Sequence, residues 1–209
     1  MAVFEVWFFR RGRNSILYYF SLILAQFSNK LLYQNNCRST LNHTMKNTLW
    51  VLFGFFALAI GAYPSIYFLV DREFGLLNTK SPELLDNLAW NIGFYTHIIA
   101  GGIALLLGWT QFSPRLRNRF LNAHRNIGKI YVITALLSGL AGLSIGFFAT
   151  GGPIAAAGFI SLALVWLYTT WQAFRHIRLG RVAAHEQMML YSYAACFAAV
   201  TLRIWLPLL

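Results

Sequence analysis

The chain has 209 residues, 58% of them hydrophobic, 17% aromatic and 11% charged, with a formal net charge of +11. A soluble domain carries roughly 25% charged residues, so the composition excludes an ordinary water-soluble fold and makes lipid the main solvent. On such a chain the excess of Lys and Arg marks cytoplasmic loops, and no nucleic-acid partner is expected.

Residues 1–44 form an N-terminal extension. Its apolar run from Ile16 to Phe27 is flanked by Arg10, Arg11 and Arg13 before it and Lys30 after it. That run falls short of the ~20 residues a span needs, and no small-x-small cleavage pattern follows. Two readings stay open. The stretch is a peripheral interfacial helix, or translation starts at Met45, where Met45-Lys46-Asn47 leads into a spanning run. His43 reads as a solvated loop residue. Cys37 and Cys196 lie in different contexts, so no disulfide is expected between them.

The transmembrane domain is read as 45–209. Its first span is 48–70, with Tyr63-Pro64 well inside it, and a proline there predicts a kink. The connector that follows carries Asp71, Glu73, Glu83 and Asp86 against Arg72 and Lys80, and Ser81-Pro82 predicts the start of a short helix. The second span is 88–112. Gly93, His97, Gly101, Ala104 and Gly108 share one face of it at three-four spacing, which lets a neighbouring helix approach closely and turns His97 into the bundle. Arg115, Arg117, Arg119, Arg125 and Lys129 follow without an acid. The third span, 127–149, repeats small residues at Ala135, Gly139, Gly142 and Gly146. A Thr150-Gly151-Gly152-Pro153 turn leads to the fourth, 154–174, with Trp166, Tyr168 and Trp171 at its far end. Arg175, His176, Arg178 and Arg181 precede the fifth, 187–208, which Arg203 interrupts. The expected fold class is therefore all-α: a polytopic integral membrane bundle of five transmembrane helices.

The basic connectors alternate with acidic or uncharged ones. By the positive-inside rule the N-terminus is cytoplasmic and the C-terminus outside. The bilayer is the expected partner, with anionic lipid headgroups on the cytoplasmic side; no protein partner can be named.

Histidines within or beside spans are functional candidates by default, with interhelical hydrogen bonding as the competing role. His124 opens the third span and His185 the fifth, so both sit at one depth. Two facing imidazoles at one depth could grip a single haem b; the alternative is a pair of interfacial residues beside basic loops. A zinc site from His124, His176 and His185 has no cysteine or inward carboxylate to complete it other than Glu186, and no metal site is assigned. No nucleotide-binding, nucleophile-elbow or metalloprotease motif is present, and no catalytic residue is expected. Arg203 must snorkel, face a wet cavity or find an acid. It lies on the same face as Ser192, Cys196 and Ala199. Counted at ~1.5 Å per residue, its Cα is about 8 Å closer to the outer surface than His97, a gap the side chain can largely cover. The expectation is a shared outer cavity of His97 and Arg203, with Asp86, Asp71 or Glu73 as the acid near its rim.

A family resemblance rests on particular residues. They run from His97 through Ala104-Leu-Leu-Leu-Gly108-x-x-Gln111-Phe112 to Leu116-Arg117 and His124-Arg125-x-x-Gly128-x-x-Tyr131. Gly151-Gly152, Gly158-Phe159 and Leu162-Ala163-x-x-Trp166 follow, then His185-x-x-x-Met189 and Ala198-Ala199-Val200-Thr201-Leu202-Arg203. From about Ile92 to Leu209 the chain resembles the mostly bacterial membrane family catalogued as domain of unknown function 2306. The resemblance implies a four-helix membrane domain, here preceded by one N-terminal span, in a bacterial inner membrane. It implies no activity. That family often reads His-Arg-Arg-Trp-Met-x-Arg after the last histidine, where this chain has Glu186, Gln187, Met188 and Tyr191. Three functions remain open: a haem-binding or redox-associated protein using His124 and His185, a small-molecule or proton-handling protein using His97 and Arg203, or a structural membrane subunit.

Overall fold

The structure is a computed structural model describing residues 43–69, 77 and 80–205. The expectations for residues 1–42, Asp71 and Glu73 fall outside the described residues. Among those described, all regular structure is helical. Helix α1 (His43–Ala62) passes through a 3-10 turn (Tyr63–Ser65) into α2 (Ile66–Leu69). A short α3 (Pro82–Leu85) precedes α4 (Leu88–Gly108), whose last turn tightens into a 3-10 segment (Trp109–Phe112). Then come α5 (Pro114–Arg119), α6 (Leu121–Gly146), α7 (Gly152–Arg178) and α8 (Val182–Trp205).

The stops follow from backbone chemistry. Pro64 sits early in the 3-10 turn, where its missing N–H ends regular α-helix bonding, so the expected kink is a short change of helix type. Ser81 and Pro82 start α3 as the sequence predicts. Gly151, Gly152 and Gly180 turn with φ of 109°, 78° and 71°, a left-handed backbone that side-chain-bearing residues rarely adopt.

Three helices begin earlier than the spans read from hydropathy. His43 opens α1 instead of lying in a loop, α6 starts at Leu121 and not 127, and α8 starts at Val182 and not 187. The charged residues end the apolar run, but no proline or glycine lies in 43–48, 121–127 or 182–187 to end the helix there. The helices therefore continue past the lipid into the basic ends.

Asn47–Ser65, Leu88–Phe112, Leu121–Gly146 and Gly152–Arg178 are long and apolar enough to cross a membrane. Helix α8 is outside that set; His185, Glu186 and Gln187 lie in its early turns and Arg203 near its end. Large apolar side chains such as Leu49, Val51 and Phe55 on α1, Leu137 and Leu140 on α6, and Ile154 on α7 are exposed, as lipid-facing residues must be.

The central seam joins α4 and α6 in one antiparallel register. A Cβ added at Gly142 would lie 2.8 Å from the His97 ring, and one at Gly101 2.9 Å from Ser138 Oγ. Farther along, Gly108 faces Tyr131 at 2.8 Å, and Gly128 faces Gln111 at 3.4 Å. These residues recur at steps of three and four. That period, near 3.5, keeps one stripe on the partner helix through several turns. The glycines are therefore the contact surface of the fold. Helix α7 packs on α6 the same way, with Leu167 over Gly139 and Ile160 against Gly146. Helix α8 closes the four-helix core through Tyr193, whose hydroxyl donates to Leu105 O at 3.0 Å. Helix α1 lies against α4, with Gly61 meeting Leu106 and Gly54 meeting Trp109. It also reaches α8, where the Phe53 and Phe197 rings are 5.1 Å apart.

This arrangement gathers both basic connectors, Arg115 to Arg125 and Arg175 to Arg181, at one end of the bundle. At the opposite end Lys80 donates to Phe148 O and, at 2.9 Å, to Thr150 Oγ1. The lysine thus caps the Phe148 carbonyl just past α6, the position where a helix favours a cation. Partial burial there pulls its pKa below the usual lysine value.

Candidate functional site

Three polar groups break the apolar bundle, one at each end and one in the middle. In the middle, Tyr131, Thr170 and Ser192 are fully buried. Ser192 Oγ lies 2.8 Å from Tyr131 OH and 2.6 Å from Thr170 Oγ1, and Thr170 also donates to Trp166 O at 2.7 Å. One serine on α8 therefore ties α6 to α7. In lipid such bonds act as interhelical glue, worth on average ~0.6 kcal/mol each. Ser192 stands in sequence only as one member of the small stripe with Cys196 and Ala199, and Thr170 carries no signal of its own.

At the basic end, His124 and His185 come close enough for their charges to interact, and Arg117, Arg125 and Glu186 act on His124 as well. His185 Nδ1 donates to Ala173 O at 2.9 Å, which leaves Nε2 with no bond among the described residues. His124 Nδ1 is buried without a hydrogen-bond partner among the described residues, and so is His176 Nδ1. Arg117 Nη1 donates to Glu186 Oε1 at 2.7 Å. Glu186 stands where the family resemblance expects arginine, and an arginine there would set two guanidinium groups together.

The haem expectation can be tested here. His185 is held as an axial ligand should be, its second nitrogen on a backbone carbonyl. A porphyrin also needs a slot between the helices. A concavity of about 390 Å³ borders this end, lined by Arg119, Phe120, Leu121, Asn122 and Ala123; a haem between His124 and His185 is not shown. Nor do His124, His176, His185 and Glu186 assemble into a metal site; no group of three metal-ligating residues forms among the described residues.

Toward the other end, His97 is clasped by α6. His97 Nδ1 donates to Ser138 O at 2.9 Å, while Ser138 Oγ donates to the backbone oxygen of His97 at 2.9 Å. Gly142 leaves the notch that the imidazole fills. This clasp uses Nδ1 and leaves Nε2 with no bond among the described residues.

Arg203 does not extend toward its end of the bundle. Its guanidinium lies over the Tyr63 ring, 4.7 Å from the centroid, and Nη1 reaches back one turn to Ala199 O at a long 3.4 Å. Helical side chains lean toward their own N-terminus, which for α8 is toward the middle of the bundle. There the charge of Arg203 is felt at His97. Asp86 is exposed and makes no ion pair with Arg203; Arg117–Glu186 is the ion pair among the described residues. The structure thus puts His97 and Arg203 in electrostatic reach of each other and adds Tyr63, which the sequence analysis had read only as a neighbour of Pro64.

Residues 94–209 match the family model described as "Predicted membrane protein (DUF2306)". The chain belongs to that family. The matched stretch comprises most of α4 and all of α5 to α8, so the family domain is the four-helix core, and α1 is what this chain carries before it. Neither curated proteins nor solved structures yield a match. The quoted family motifs now have physical roles. Gly108-x-x-Gln111 and Gly128-x-x-Tyr131 are the two sides of one helix contact, and His97 and Arg203 bracket the polar region at the far end.

Proposed function

We propose that this protein is a five-helix integral membrane protein of the bacterial inner membrane, N-terminus cytoplasmic and C-terminus outside, that binds a small anion or anionic headgroup at an outward-side site of Arg203, His97 and Tyr63. One observation carries the reading. Arg203 is partly buried and turned inward over Tyr63, with no carboxylate neutralising it among the described residues. A charge in hydrocarbon is costly unless it serves a partner. An aromatic face offsets part of that cost, and an anion would offset more. His97, within reach of the Arg203 charge and with no bond to Nε2 among the described residues, can donate to the same ligand once protonated or accept a proton from it. The shared chemistry is a carboxylate or phosphate group, whether from a free solute or from a lipid.

Thermal melting of the detergent-purified protein, titrated separately with acetate, inorganic phosphate and dioctanoyl phosphatidic acid, tests this. At least one probe raises the Tm of the native chain saturably. Acetate or phosphate alone doing so identifies a free anion, and phosphatidic acid alone identifies a lipid. In a background of Arg115→Gln with Arg119→Gln, which removes the exposed arginine pair at the basic end, Arg203→Gln abolishes the rise and Arg203→Lys keeps part of it, since a hydrogen bond to a charged group contributes about 1.5–3 kcal/mol. No rise with any probe, or an equal rise when Arg203→Gln is added to that background, refutes the proposal.

A further inference from the structure

The basic end of the bundle carries a second feature that the outward site does not use. Helix α5 is a single short segment between α4 and α6, and three of its residues are arginines at alternate positions. Arg117 is tied to Glu186 of α8 at 2.7 Å. That contact fixes the roll of α5. At ~100° per residue, Arg115 and Arg119 then fall together on the opposite side, facing away from the bundle. Both are exposed. Glu186, the acid near this end among the described residues, is already spent on Arg117.

Beside this pair the chain turns a corner. Phe120, with φ −126° and ψ 56°, breaks α5 from α6 and leaves its ring 57% exposed, with Leu121 beside it 45% exposed. The Arg119 guanidinium lies 5.8 Å from the Phe120 ring centroid. The same residues line the concavity of about 390 Å³, with Asn122 and Ala123 completing its wall. The corner therefore combines two guanidinium groups with no ion pair among the described residues, two exposed apolar side chains and a hollow lined by Arg119, Phe120 and Leu121. It sits at the start of the apolar segment Leu121–Gly146.

We infer that this corner is a binding site for an anionic phospholipid, its phosphate held by Arg115 and Arg119 and its acyl chains lying on Phe120 and Leu121. The charge complementarity selects an anionic headgroup. The exposed apolar pair selects a lipid over a free anion, because a soluble phosphate gains nothing from Phe120 and Leu121. The Arg117–Glu186 pair is the positioning element that aims the other two arginines outward.

The test is native mass spectrometry of the full chain released from nanodiscs of mixed phosphatidylglycerol and phosphatidylcholine, counting the lipids retained. The native chain retains phosphatidylglycerol over phosphatidylcholine. Removing both charges, as Arg115→Gln with Arg119→Gln, lowers that retention roughly 30-fold, taking ~1 kcal/mol for each basic residue at a membrane surface. An equal loss of charge at the other basic connector, Arg175→Gln with Arg178→Gln, leaves it within about twofold. Phe120→Ser keeps every charge and still weakens retention. Equal losses in the two double variants would mean diffuse attraction and overturn the site. No loss in either overturns it too. Displacement of the lipid by millimolar inorganic phosphate would mean a free-anion site and overturn the assignment to lipid. A monodisperse elution profile for each variant separates loss of the site from loss of the fold.

Discussion

The sharpest consequence of the packing concerns Gly108. Its backbone is ordinary right-handed helix, φ −63° and ψ −39°, so alanine adopts it without strain. The obstacle is space. A Cβ at this position would fall 2.3 Å and 2.4 Å from two atoms of the Tyr193 ring and 2.8 Å from Tyr131. Both tyrosines are buried, and both hold hydrogen bonds: Tyr193 to Leu105 O at 3.0 Å and Tyr131 to Ser192 at 2.8 Å. Neither ring can retreat without losing its bond. Overpacking a close-packed interior costs typically ~1–3 kcal/mol, and two strained membrane hydrogen bonds add ~0.6 kcal/mol each. Gly108→Ala is therefore expected to destabilise by about 2–4 kcal/mol. Gly158 on α7 is the control, because nothing lies within 4 Å of an added Cβ there. Gly158→Ala is expected to be neutral or stabilising by about 0.5–1 kcal/mol. Equilibrium unfolding in mixed micelles, with denaturing detergent as the variable, measures both. The pair Gly108→Ala and Tyr193→Leu should couple, the double variant losing less than the sum of the singles. Equal stability of Gly108→Ala and Gly158→Ala, or strict additivity in the double variant, refutes the reasoning.

Two further outcomes are expected. Ser192→Ala removes the partner of Tyr131 and leaves a hydroxyl buried without a bond, costing about 1–3 kcal/mol; Ser192→Thr at the same site tests whether a retained hydroxyl rescues it, and a silent alanine variant would show that the cluster is not holding the helices. With Cys37 and Cys196 replaced by serine, single cysteines at Asn118 and at Thr150 should be labelled from opposite faces of sealed spheroplasts, Thr150 alone from outside; labelling of Asn118 from outside would invert the proposed orientation.

Much of the helix order was legible before any coordinates. The apolar blocks predicted the helices, and the three-four spacing of Gly93, His97, Gly101 and Gly108 predicted the packed face of α4. Lipid imposes both: a bilayer demands long apolar helices, and helices approach closely only where side chains are small. Helix ends were less legible, because hydropathy reports where lipid stops and not where the backbone hydrogen bonds stop. The candidate-site residues were half legible. His97 and Arg203 stand out in sequence because charge and imidazole are rare in a span. Their partners do not. Ser138, which clasps His97, and Tyr63, which lies under Arg203, are common residue types that carry no signal of their own. The paired reading of His124 and His185 as haem ligands is not decided by the sequence for a related reason. Equal depth on two helices is a one-dimensional fact, and a porphyrin requires an open slot between them that only packing can leave or fill.

The sequence by itself determined that the chain lives in lipid, that its family domain is a helical membrane domain, and that small residues line its contacts. These follow from composition and periodicity, which are properties of single segments. Tertiary structure decided that Gly108 meets Tyr131 and Gln111 meets Gly128, that Ser192 bridges two helices, that Glu186 neutralises Arg117, and that Arg203 bends inward over Tyr63. Each of those depends on the register and roll of one helix against another, and many registers satisfy the same apolar pattern until side-chain volumes and hydrogen bonds select one.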